Sequence, residues 1–170
     1  SYTITYNCNG GSGSTASSSH TYGVAKNLSS NGCYKITEGT SGMLYSFAGW
    51  STNSSASTAT YADGQSVSGV GSGANVTLYA IWKNYFSYTG SYNVISDGSG
   101  NWRIKLLSSG TLNINYATTI DLFLVGGGGG GSERLAGAGG GYTRTIKSIL
   151  TEANSSKEIV VGKGGSYQSC

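Results

Sequence analysis

Near the start of the chain, Tyr2, Ile4, Tyr6 and Cys8 alternate with Thr3, Thr5 and Asn7. A period of two puts one set on each face of a strand, whereas a helix brings together residues about 3.6 apart. The alternation returns in residues 75–82, where Val76, Leu78, Ala80 and Trp82 oppose Thr77, Tyr79 and Ile81. It returns again in 101–106, with Trp102, Ile104 and Leu106 against Arg103 and Lys105, and in 111–115. Glycine-containing turns bound these runs. Only residues 145–154 are a candidate for a long amphipathic helix. The chain is expected to be mainly β.

Other segments fit this reading. Residues 45–50 form a strand ending in a bend, where Gly49 lets the backbone turn while Trp50 is buried. Residues 51–60 are almost wholly Ser, Thr, Asn and Ala and read as a surface loop, with a turn at 61–64. Residues 20–28 fit either a short strand or one helical turn. Residues 92–95 and 101–106 make a hairpin around a turn at 97–100. Residues 120–125 are an apolar run interrupted only by Asp121 and read as a buried strand, and 142–146 and 158–161 as further strands. Lys83 and Asn84 mark a junction between a first domain, 1–83, and a second, 84–170. Tyr6, Phe47, Trp50, Leu78 and Trp82 are the expected core of the first domain.

Charged residues are 10% of the chain, against roughly 25% in soluble domains. Its polarity comes from neutral hydroxyls and amides, which suits an extracellular setting. The net charge of +3 includes no basic run, so no nucleic-acid partner is expected. Proline is absent, which excludes collagen despite 29 glycines, and 13 tyrosines argue against disorder. No apolar run is long enough for a helical membrane span, and no membrane insertion is expected. The chain opens on a strand pattern and stops at Cys170 inside a glycine-rich stretch, as expected of a piece of a longer protein.

Cys8 and Cys33 lie in one small segment and are read as a disulfide, which implies an oxidising compartment; two buried free thiols are the alternative. The bond would stabilise the fold by about 3.5 kcal/mol through loop closure. Cys170 is odd, either free or paired outside this chain.

No catalytic, cofactor or metal site is expected. The strand 120–125 runs into glycines like a dinucleotide fingerprint, but no helix follows to hold a pyrophosphate. Lys163 between glycines lacks the following Ser or Thr of a phosphate loop. Residues 97–101 resemble the start of a calcium loop, yet Ser108 stands where the bidentate glutamate belongs. His20 has no companion histidine for zinc. It lies among serines and is read as solvated. Glu38, Asp63, Asp97, Asp121, Glu133, Glu152 and Glu158 are scattered. Exposed tyrosines could stack on sugars.

Residues 1–83 resemble one Listeria–Bacteroides repeat, also called the internalin B-repeat. The likeness rests on 2–6 (Tyr-Thr-Ile-Thr-Tyr), Asn9-Gly10-Gly11, Tyr22-Gly23, 47–50 (Phe-Ala-Gly-Trp), 61–64 (Tyr-Ala-Asp-Gly) and 76–82 (Val-Thr-Leu-Tyr-Ala-Ile-Trp). It implies a β-grasp-like unit that spaces or supports adhesive domains on a bacterial surface. Residues 85–170 resemble the glycine-rich domain of bacterial surface and phage tail proteins. This likeness rests on Gly126, Gly127, Gly128, Gly129, Gly130 and Gly131, on Gly139, Gly140 and Gly141 before Tyr142, and on 160–165. It implies a β-rich domain with polyglycine II segments.

The expected function is a non-enzymatic extracellular structural and adhesion module of a bacterial cell-surface protein. A phage tail-fibre or tail-tip component, present as a homo-oligomer in the virion, is the alternative. The expected partner is a host surface protein or glycan.

Overall fold

The computed structural model describes residues 1–129 and 140–165. The chain is mainly β and divides into two compact units. One comprises Ser1–Tyr85 with Val94–Ile104, the other Phe86–Asn93 with Lys105–Cys170.

The strands in chain order are β1 (Tyr2–Asn7), β2 (Ser12–Gly13), β3 (Ser18–His20), β4 (Lys26–Asn27), β5 (Cys33–Thr37), β6 (Met43–Ser51), β7 (Ser66–Val67) and β8 (Val76–Asn84). They continue with β9 (Phe86–Tyr88), β10 (Tyr92–Gly98), β11 (Asn101–Leu106), β12 (Gly110–Ile114), β13 (Thr118–Val125), β14 (Thr143–Thr151) and β15 (Ser155–Ile159).

In the first unit a curled six-stranded sheet has the order β2-β5-β6-β8-β1-β3. Its first and last long strands, β1 and β8, are neighbours and run parallel, Ile4 beside Val76 and Asn7 beside Tyr79. β3 folds back antiparallel on β1, and β6 is antiparallel to β8. The alternation in β1 is realised in full: Tyr2, Ile4 and Tyr6 are buried and Thr3, Thr5 and Asn7 exposed. Tyr2, Ile4, Tyr6, Trp50, Leu78 and Ala80 make one core with Leu28, Val67 and Val70 from the connections. Those connections are tied by the short β4–β7 pair. Among the described residues the one helical element is a 3-10 turn, Gly71–Gly73.

The stretch 20–28 resolves as the end of β3, a turn and β4. Ser51 closes β6 and is buried, while residues 52–55, 57, 58 and 60 are exposed, as a surface loop should be. At 99–100 the hairpin turn has positive φ at both Ser99 (51°) and Gly100 (83°), the geometry that twists two strands compatibly.

In the second unit β12 lies between β15 and β9, antiparallel to both, and Phe86 and Ile114 are buried. β13 and β14 form a two-stranded antiparallel ribbon. Residues 145–154 are therefore not helical: β14 runs through Thr151. A bulge interrupts the strand period here. The register shifts between Ile120 and Leu122, and Ser148 takes a positive φ of 58°. That bulge inserts a residue, so Ile146 and Ile149, three apart, are both half-buried and face Leu122 and Ile120. β13 itself is half-exposed along its length and not the buried strand its apolar run suggested. The last strand ends at Ile159, not Val161, because its partner β12 offers five residues to pair with.

Candidate functional site

Three places gather the residues singled out above. The first is the aromatic frame of the first unit. Trp50 is fully buried, its ring 4.9 Å from Tyr6 and 4.8 Å from Phe47, and Phe47 lies 5.7 Å from Trp82. Leu78 is buried with them, while Phe47 and Trp82 are partly buried against this core. Gly49 makes the frame possible. Its φ is 128°, and a Cβ there would collide with the Tyr61 carbonyl oxygen. The strand bulges at this point, and Trp50 N–H donates to Tyr61 O at 2.8 Å. Cys8 and Cys33 are disulfide-bonded, and the Trp82 indole N–H donates to Cys8 O at 2.9 Å. Asn9, the first residue of the Asn9-Gly10-Gly11 motif, donates through Nδ2 to Ser54 O and Ala80 O, tying the surface loop to β8.

The second is His20. The serines around it predict a solvated side chain, but it is buried, with 2% of its surface exposed. The antiparallel register sets it opposite Tyr2, whose ring lies 5.7 Å away. Its Nε2 is 2.8 Å from Ser18 Oγ, which is 2.9 Å from Tyr6 OH, and that phenol accepts the Ser29 N–H at 2.9 Å. Nδ1 is buried and unpartnered. A serine beside a histidine suggests a nucleophile, yet no carboxylate orients Nδ1, and the Ser18 oxygen is already shared with Tyr6. The arrangement is a polar chain sealing the β1–β3 edge. Burial, and secondarily the Lys26 charge, hold His20 below its ordinary pKa.

The third is the glycine run. Gly126 N–H donates to Tyr142 O at 2.8 Å, and Gly165 N–H donates to Gly128 O at 3.1 Å. Gly127 lies beside Lys163 and Gly164. Gly126 to Gly128 thus lie against two other backbone segments, one holding Gly141. Gly129 and Gly140 are described without regular structure; Gly130, Gly131, Gly139 and Cys170 lie outside the described residues.

Four of the scattered acids have local tasks, and Glu133 lies outside the described residues. Asp63 accepts the Asn31 N–H, Asp121 the Ser148 N–H and Glu38 the Ser96 N–H. Asp97, which opens the calcium-like stretch, pairs through both oxygens with Arg103, and that hydrogen-bonded guanidinium lowers its pKa. Among the described residues no three His, Cys, Asp or Glu side chains converge as metal ligands. No helix among them is long and apolar enough to cross a membrane.

A disulfide-bonded mixed-sheet unit and a glycine-rich β unit follow one another in the chain, which makes it a modular β protein. Residues 2–81 match the Listeria-Bacteroides repeat domain, and residues 106–169 match a glycine-rich domain. The chain carries these two modules in that order. The repeat family is typical of bacterial surface proteins. Neither the curated proteins nor the solved structures give a match to the chain.

Proposed function

We propose that the chain is a non-enzymatic, extracellular spacer and adhesion-presenting segment of a bacterial cell-surface protein. The observation that carries this is the parallel pairing of β1 and β8. The chain enters the repeat unit at Tyr2 and leaves at Asn84, while Ile4 and Val76 are level. Entry and exit therefore lie at opposite ends of the sheet, about 30 Å apart at ~3.3 Å per residue. Each such unit lengthens the protein by that amount. Tension on the two ends shears all β1–β8 hydrogen bonds together, so the unit resists extension.

The same strand arrangement supports a β-grasp-like reading in which connecting segments take the covering place of a helix. The lateral backbone contacts of Gly126 to Gly128 support the polyglycine packing expected of the second module. Without Cβ atoms, extended chains approach closely enough to bond side by side.

Labels at Ser1 and Asn84 test the spacer reading by energy transfer. A separation near 30 Å supports it, and ends within about 10 Å of each other refute it.

A phage tail component is the second reading, favoured by the β13–β14 ribbon. Phe123, Val125, Tyr142 and Leu150 are all exposed there, and a lone two-stranded ribbon is marginally stable in water. Copies of the chain covering one another would bury these side chains. Sedimentation separates the readings: a monomer fits the spacer, a stable trimer the tail.

A further inference from the structure

The exposed tyrosines acquire a position in the structure, and one of them is built into a site. Tyr22 has 64% of its surface exposed, yet it is not a loose side chain. The Cδ2–Cε2 edge of its ring is seated between Gly69 and Gly73. A Cβ at Gly69 would come within 2.8 Å of Tyr22 Cε2, and one at Gly73 within 2.9 Å of Cδ2. Only glycine at both positions lets the ring lie so close to the backbone.

Both sides of the seat are tied down. Gly23 N–H donates to Ser68 O at 2.6 Å, and Val24 N–H to Thr21 O at 3.1 Å. Across the seat, Val70 is buried and its N–H donates to the Tyr2 phenol at 3.1 Å. The Asn75 side chain accepts the Thr3 N–H at 2.8 Å. The backbone on both sides of the ring is thus fixed before any ligand arrives, which removes part of the ordering cost of binding.

The surroundings specify the chemistry. Residues 21–25 and 68–75 contain no charged side chain. Ser68 and Ser72 are exposed beside the ring's seat, as is Thr21. A nearby cation, Lys26, is turned to the Ser19 carbonyl at 2.7 Å. An open aromatic ring with neutral hydroxyls at its rim suits a ligand with one apolar face and hydroxyls around its edge. We infer that Tyr22 is a stacking platform for a neutral pyranose sugar. The inference is independent of the spacer role, because it needs neither a particular location nor the β1–β8 geometry.

The test uses the full oxidised chain, labelled with nitrogen-15. Methyl glucoside, methyl galactoside, methyl mannoside and N-acetylglucosamine are titrated separately, with glucuronate as the acidic comparison. At least one neutral sugar should shift the amides of Gly23, Gly69 and Gly73 saturably, with Kd in the millimolar range. Y22A should weaken that binding at least ~10-fold, and Y22W should retain it. Y22L keeps an apolar contact with the glycines and should bind as poorly as Y22A, which separates loss of the ring from loss of the fold. The inference is overturned by no shift up to ~100 mM of every neutral sugar, by shifts that map elsewhere, by undiminished binding in Y22L, or by preference for glucuronate.

Discussion

Two buried side chains of the first unit show opposite kinds of risk. Trp50 contributes apolar area and ring contacts with Tyr6 and Phe47. Truncating it leaves a cavity inside a small core, and W50A should cost about 3–5 kcal/mol. Urea denaturation followed by far-ultraviolet dichroism checks this; a loss below about 1 kcal/mol would place the indole outside the core. His20 contributes through the form in which it is buried. Its pKa is lowered in the fold, so as pH falls the unfolded chain takes up the proton first. Stability is therefore full above about pH 6.5 and declines below it. Urea midpoints at about pH 7.5 and 5.5 should differ in the native chain, and H20Q should reduce the difference. Equal slopes with pH in the two proteins would show that another group is responsible.

Among the elements, legibility followed the regularity of the strand. β1 and β8 were plain because nothing interrupts their period of two. The ribbon was misread where a bulge at Ser148 changed the phase, so that the half-buried Ile146 and Ile149 stand three apart. The bulge in β6 was foreseeable from its glycine. G49A should destabilise the first unit by roughly 2–3 kcal/mol, through strain at positive φ and the clash with Tyr61 O. Thermal melting checks this, and a variant that melts with the native chain would mean that the bulge relaxes without strain.

For the molecule as a whole, the covalent tie is the main device added to packing. Cys8 and Cys33 are 25 residues apart, and opening that loop should cost the first unit about 3.5 kcal/mol. Reduction, or paired C8A and C33A, should lower its melting temperature while the second unit is unaffected; an unchanged melting curve would mean the packing alone holds β1 to β5. The sequence by itself determined the strand class, because alternation and turn glycines act over a few neighbouring residues, and its motifs marked the two modules; it left Cys8 and Cys33 as either a disulfide or two free thiols. Only the tertiary structure decided that β1 and β8 lie parallel side by side, that His20 is buried, and that Tyr22 rests between Gly69 and Gly73. The partners meet from 18 positions apart for His20 and Tyr2 to 72 for Ile4 and Val76, and no local pattern encodes which distant backbone will arrive.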